Sequence, residues 1–127
     1  MMKNLRPLGE LEQAVMEAAW RSSPLSVHDA SQILAERGLA YTTLMTTMDR
    51  LYKKGLLARE KRGHAFLYRP AIGRDAYERR LVAAVLESLP TASKEALLSG
   101  FLDYATTDDQ TLEALERLLA DRKREES

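Results

Sequence analysis

Apolar residues at helical spacing mark three successive segments in the first part of the chain. The first segment predicts a helix over residues 7–21. Ser26 followed by Asp29 forms a capping-box pattern that begins a second helix, and Gly38 ends it. A third helix is predicted over residues 41–55. Three short helices with brief connections are typical of a helix-turn-helix core.

The third predicted helix has two contrasting faces at about 100° per residue. Its inner face is apolar and consists of Leu44, Met48, Leu51 and Tyr52, with Met45 at the edge. The outer face opens with four threonines, and short hydroxyl side chains allow close approach to base edges and phosphates. The alternative is a threonine-rich surface helix without a ligand. The residues predicted to contact DNA from this helix are Thr42, Thr43, Thr46, Arg50, Lys53 and Lys54.

A basic hairpin follows the third helix. The segments 56–60 and 65–69 predict two short strands, and Gly63 offers the positive φ that a tight turn requires. A helix-turn-helix followed directly by a hairpin is a winged helix. The alternative is an edge ribbon whose charges serve only solubility. The cations left for solvent or phosphate are Arg59, Lys61, Arg62 and Arg69.

The remainder of the chain is predicted to be helical, after a plausible hinge at residues 70–73. Thr107 and Gln110 form a capping-box pattern before the last helix. Three short helices bury too little surface to be stable alone, so we favour packing on a partner subunit over packing on the first domain. The fold class is therefore mainly α with a small β-hairpin, with a winged-helix DNA-binding domain over 1–73 and a helical dimerisation domain over 74–127. The predicted dimerisation residues are Tyr77, Leu81, Val85, Phe101, Leu112, Leu115 and Leu119.

Charge is unevenly distributed although the net formal charge of the 127 residues is zero. Residues 1–73 have 11 Lys or Arg against 7 Asp or Glu, a net of +4, and residues 74–127 have 8 against 12, a net of −4. The excess is strongest between residues 41 and 74. A local basic region of this kind is typical of proteins that bind polyanions.

The composition excludes several classes of function. The absence of cysteine excludes disulfides, thiolate metal sites and a cysteine nucleophile. His28 and His64 are far apart in sequence, and no catalytic or nucleotide-binding motif is present, so we expect neither an enzyme nor a cofactor or metal. No apolar run is long enough to cross a membrane, and the N-terminal residues lack a signal-peptide pattern. We therefore expect a cytoplasmic protein without membrane insertion.

Three stretches together resemble the penicillinase-repressor family (BlaI/MecI/CopY): LGELEQAVMEAAW, AYTTLMTTMDRLYKKGLL and GHAFLYRP. The resemblance covers about residues 7 to 89 well and the tail more loosely. It implies a dimeric winged-helix repressor that binds double-stranded operator DNA with inverted TACA/TGTA-type half-sites. The third helix would enter the groove through Thr42, Thr43, Thr46 and Arg50, and the C-terminal helices would form the homodimer.

Two departures from the family pattern concern regulation. The copper-responsive branch has a C-terminal cysteine motif, which this chain lacks. In the β-lactam-responsive branch, a membrane sensor protease pathway leads to cleavage at an Asn-Phe bond. The similar position here, a candidate cleavage site, is Gly100-Phe101.

The leading hypothesis is thus a homodimeric transcriptional repressor that reads a palindromic operator. The runner-up is a winged-helix module whose basic face docks an acidic protein partner, since fold alone does not decide between them. A third interpretation, a repressor gated by a small molecule, is weakened because no polar cluster interrupts the apolar C-terminal pattern.

Overall fold

The computed structural model describes residues 6–90 and 93–126 of the chain. In chain order the helices are α1 (Glu10–Ser22), α2 (Val27–Ile33), α3 (Tyr41–Lys53), α4 (Arg74–Ser88), α5 (Lys94–Ala105) and α6 (Asp109–Glu125). A short 3-10 turn (Ala35–Arg37) follows α2, and the strands β1 (Leu57–Arg62) and β2 (Ala65–Pro70) lie between α3 and α4. The chain divides into two compact units, Met1–Ser88 and Leu89–Ser127.

Local signals in the sequence determine where the helices of the first unit begin and end. The Ser26 hydroxyl accepts a hydrogen bond from the backbone N–H of Asp29 at 2.9 Å, and the Asp29 carboxylate accepts one from the N–H of Ser26 at 2.9 Å. This is the predicted capping box. Gly38 has a φ of 61°, a left-handed conformation that closes the turn after α2.

The core of the first unit forms where α1, α2, α3 and the hairpin meet. Leu44, Met48 and Leu51 of α3 are fully buried, as their spacing predicts. Tyr52, which the same pattern places inside, is instead 39% exposed. The other large side chains of the described residues that are fully buried are Val15, Met16, Leu56 and Leu57.

The hairpin is antiparallel, with Arg59 opposite Tyr68 and Arg62 opposite Ala65. Gly63 lies in its turn with a φ of 62°. Leu25 pairs with Tyr68 through two backbone hydrogen bonds of 2.8 and 2.7 Å, which fasten β2 to the loop before α2. The hairpin is therefore connected to the helical core by backbone contacts as well as by side chains.

The segment between β2 and α4 is held on the core, which argues against the predicted hinge over 70–73. The Trp20 indole N–H donates to the carbonyl of Ile72 at 2.9 Å. Tyr77 is only 2% exposed, and its ring centroid lies 5.6 Å from that of Trp20. The first compact unit accordingly includes α4, whereas the sequence predicted a boundary between residues 73 and 74.

The second unit contains α5 and α6. The side chain of Ser93 caps α5, and that of Asp108 caps α6 by accepting from the backbone N–H of Thr111 at 2.7 Å. The capping residue of α6 is thus one position later than the predicted Thr107. None of the helices in the described ranges is long and apolar enough to cross a membrane.

Candidate nucleic-acid interface

The outer face of α3 carries most of the polar side chains that the sequence predicts to contact DNA. Thr42, Thr43, Thr46 and Arg50 are exposed, while the opposite side of the helix is buried in the core. Thr47 departs from the prediction of four outward threonines, because it is only 5% exposed. Its hydroxyl donates to the carbonyl of Thr43 at 2.8 Å, which satisfies the buried group.

Asp49 is the one acidic residue of α3, and two cations neutralise it. Its carboxylate lies 3.0 Å from Lys53 Nζ and 2.9 Å from a guanidinium nitrogen of Arg59. The hydrogen bond from Lys53 has the larger effect and that from Arg59 the next, and together they hold the pKa of Asp49 below its usual range. The acidic residue of α3 therefore has cationic partners, and the outer face that contains Arg50 has no unpaired negative charge of this helix beside it. The side chain of Lys53 remains 72% exposed.

Lys54 differs from the other predicted DNA contacts, because its ammonium group is paired with α1. Lys54 Nζ lies 2.6 Å from Glu12 Oε2, and the Glu12 side chain is only 14% exposed. Burial opposes the charged form of Glu12, but hydrogen bonds from Lys54 and from the N–H of Gly9 outweigh it and lower the pKa. Lys54, directly after α3, thus joins the end of this helix to α1, and its charge is used there instead of at the candidate interface.

The hairpin presents exposed cations at its tip and on β2. Lys61, Arg62 and Arg69 are all exposed. Arg62 Nε donates to Glu60 Oε1 at 2.5 Å, and this hydrogen bond lowers the pKa of the Glu60 carboxyl. Within the described ranges, Lys61 and Arg69 form no ion pair within 4 Å.

The sequence pattern leaves Arg59 for solvent or phosphate, but the structure places its side chain between α3 and β2. Its guanidinium carbon is 3.9 Å from the ring centroid of Tyr52 and 4.1 Å from that of Phe66. The group also donates to Asp49 Oδ1 at 2.9 Å and to the Tyr68 hydroxyl at 3.3 Å. Little in the sequence indicates this position. Strand pairing can place Arg59 opposite the aromatic residues of β2, but nothing in the pattern places it against α3.

The predicted dimerisation residues lie in both compact units. Tyr77 does not fit that role, because it is buried in the core of the first unit. Leu81 is partly buried against the same core. The remainder are half-buried or exposed, with Phe101 50% and Leu119 53% exposed; they are Val85, Phe101, Leu112, Leu115 and Leu119. The candidate cleavage pair Gly100 and Phe101 lies within α5.

Histidine and acidic side chains are the groups that could bind a metal ion in a chain without cysteine. His28 and His64 are both exposed. No group of three or more His, Cys, Asp or Glu residues within residues 6–90 and 93–126 could hold a metal ion.

Known proteins resemble this chain over nearly its whole length. A family model described as penicillinase repressor matches residues 8–121. The transcriptional regulator BlaI of Mycobacterium tuberculosis is 38% identical over 123 residues, which cover 94% of this chain and 88% of that protein. The penicillinase repressor of Bacillus licheniformis is 24% identical over 123 residues, covering 96% of each chain.

A solved structure resembles more than half of the chain. The solution structure of the DNA binding domain of the repressor BlaI is 29% identical, with a TM-score of 0.51, and the match covers 58% of this chain and 90% of that one. The predicted fold class, mainly helical with a hairpin and a winged helix at the N-terminal side, is thereby confirmed.

Proposed function

The chain belongs to the penicillinase repressor family, and from this premise we propose that it is a transcriptional repressor that binds operator DNA as a homodimer. Its relatives are a transcriptional regulator and a penicillinase repressor, which are regulators and not enzymes. The alternative function, docking of an acidic protein partner, has support neither from these relatives nor from a feature of the described residues.

The arrangement of side chains on the outer face of α3 is the observation that best supports this proposal. It places three threonines and Arg50 in solvent on a helix whose other side is anchored by fully buried Leu44, Met48 and Leu51. Because its buried side stays packed on the core, such a helix can insert its exposed side into a major groove. Hydroxyl and methyl groups of threonine suit contacts with base edges, whereas Arg50 suits guanine or phosphate.

The hairpin extends the proposed contact to the backbone of the duplex. Lys61 and Arg62 lie at the exposed tip, and Arg69 lies on β2 with its side chain exposed. Contacts with phosphates hold a protein in register without reading sequence. Lys53, largely exposed beside Asp49, adds a further cation at the end of α3.

Dimerisation is proposed through the exposed apolar side chains of the C-terminal region. Within the second unit, Leu98, Phe101, Leu118 and Leu119 each expose half or more of their surface. So many large apolar side chains on a pair of short helices are typical of an interface with another chain. A two-fold dimer would present two copies of α3 to two half-sites, and its preferred operator would be an inverted repeat.

Release of the operator by cleavage is what the resemblance to the β-lactam-responsive branch implies, with Gly100-Phe101 in place of the Asn-Phe bond of that branch. Gly100 and Phe101 lie in the middle of α5, so a protease of the sensor pathway would act on a locally opened helix. Cutting there would separate α6 from the remainder of the chain and weaken the proposed dimer by mass action. The cytoplasmic location expected from the sequence stays a prediction.

Sequence preference tests the proposed function. Purified full-length protein is mixed with sheared genomic DNA from its source, and the bound fragments are recovered and sequenced. We expect the fragments to share an inverted repeat. Bound fragments without a common sequence would contradict operator recognition and would favour the acidic-partner alternative.

A further inference from the structure

Arg59 occupies a junction between the wing and α3. It belongs to β1, yet its guanidinium lies between Tyr52 of α3 and Phe66 of β2, at 3.9 and 4.1 Å from the two ring centroids. The same group donates to Asp49 of α3 at 2.9 Å and to Tyr68 of β2 at 3.3 Å. The Arg59 side chain therefore contacts residues of α3 and residues of β2 at the same time.

The burial of Arg59 separates it from the other cations of this region. Its side chain is 19% exposed, against 67% for Arg62 and 72% for Lys53. A guanidinium covered by two rings and donating to a carboxylate has little of its surface left for a phosphate. Its Nη1 nitrogen donates both hydrogen bonds, and its planar group lies against two rings, so these contacts are made within the domain.

Only arginine satisfies all of these contacts at once. Its planar, delocalised cation stacks on aromatic faces and donates in the plane at the same time. Lysine keeps the charge, but its tetrahedral ammonium cannot stack between two rings while it donates to both Asp49 and Tyr68. The contacts thus depend on the shape of the group as well as on its charge.

We infer that Arg59 is a positioning residue for DNA recognition: it fixes the wing against α3 and does not itself contact DNA. This inference rests on the proposed function for its consequence, and on the structure for its mechanism. With the junction intact, the tip cations Lys61 and Arg62 and the outer face of α3 meet one duplex at a fixed separation. Without it, the wing is held by fewer contacts and the two parts of the interface bind less cooperatively.

The test compares two arginines of the same hairpin. Arg59 and Arg69 are each changed to Ala and to Lys in the full-length protein, and affinity is measured for a duplex with inverted TACA/TGTA half-sites and for a scrambled duplex. Arg69, which is exposed, serves as the matched control. For Arg59→Ala and Arg59→Lys alike, we expect a loss of about tenfold in the preference for the inverted repeat over the scrambled duplex, on the scale of a buried cation–π contact. For Arg69, we expect lysine to restore whatever alanine removes.

A second readout uses the protein without DNA. Amide hydrogen exchange is followed in β1 and β2, at a temperature where circular dichroism shows every variant to be folded. Both Arg59 variants should exchange faster in the hairpin than the wild type, and the Arg69 variants should not. If Arg59→Ala fails to fold, Arg59→Lys gives both measurements alone.

Three results would overturn the inference. Wild-type affinity in Arg59→Lys would show that charge alone matters, as for a phosphate contact. A lowered melting temperature with an unchanged preference for the inverted repeat would show a role in stability only. Unchanged hairpin exchange would show that Arg59 does not hold the wing. If the wild type itself does not prefer the inverted repeat, the proposed function fails, and the exchange measurement still decides whether Arg59 fixes the hairpin.

Discussion

Substitution of Leu119 by alanine should weaken the proposed dimer by a calculable amount. Leu119 lies on α6 and is 53% exposed in the single chain, so about half of its surface is still available for burial. Full burial of a leucine side chain stabilises by about 1.5–3 kcal/mol, so burial of the remaining half in a dimer contributes about 1 kcal/mol per protomer. A two-fold interface uses the residue twice, and about 2 kcal/mol corresponds to a rise of roughly thirtyfold in the dimer dissociation constant.

Sedimentation equilibrium over a range of protein concentrations measures that constant. Ile33→Ala is the matched control, because Ile33 is 47% exposed and lies on α2 of the first unit, outside the predicted dimerisation residues. The control should leave the dissociation constant unchanged, and both variants should keep the helical content of the wild type. An equal effect of the two substitutions, or no effect of either, would refute the assignment of α6 to the interface.

Other substitutions test base contacts, phosphate contacts and the core. Thr46→Ala should cost on the order of 1–3 kcal/mol for operator DNA, with little change for random duplex; an equal loss on both would indicate a phosphate contact. Replacing Lys61 and Arg62 by Ala should reduce the salt dependence of log affinity by about 0.9 for each phosphate that is no longer neutralised, whereas an unchanged slope would place the wing away from the duplex. Tyr77→Phe should raise the melting temperature, because the buried Tyr77 hydroxyl has no hydrogen-bond partner among residues 6–90 and 93–126. Burial also raises the pKa of Tyr77, so wild-type stability should fall as the pH rises above about 10, the unfolded pKa, and the Phe variant should not share that fall.

Short-range signals made most of the fold predictable from the sequence. The capping box at Ser26 and Asp29 and the left-handed Gly38 depend on residues within one or two turns of each other, so the pattern alone locates them. The start of α6 shows the limit of such signals. Thr107 and Asp108 are both competent N-caps, and only the structure shows that Asp108 accepts the hydrogen bond.

The candidate site was less predictable, because charge patterns do not reveal long-range partners. Lys54 and Glu12 are 42 positions apart, and no periodicity in the sequence connects them. Thr47 shows a related limit, since the interpretation of the sequence placed its hydroxyl on the polar face with the other threonines. The bond from its hydroxyl to the carbonyl of Thr43 allows it to be buried instead.

The division of cations within the basic region changes the salt dependence expected for DNA binding. The sequence offers eight cations between residues 41 and 74. The structure pairs Lys54 with Glu12 and Arg74 with Glu17, and places Arg59 between two rings, and each of these three side chains is less than half exposed. Lys53 and Arg62 also have acidic partners, but their side chains stay 72% and 67% exposed, so they are counted as available for phosphate. Removing these three from the eight leaves five cations, which are Arg50, Lys53, Lys61, Arg62 and Arg69.

At about 0.9 per neutralised phosphate, the five cations limit the slope of log affinity against log salt to about −4.5 per protomer, compared with about −7 for all eight. A dimer bound to two half-sites would then approach about −9, and no more. A titration of operator affinity between low and moderate salt distinguishes the two limits. A slope clearly steeper than about −9 would mean that cations paired within the isolated chain leave their partners to bind phosphate. Because removing Lys54 from Glu12 would leave a mostly buried carboxylate without its cation, such exchange has a cost of its own, and the shallower slope is the expected result.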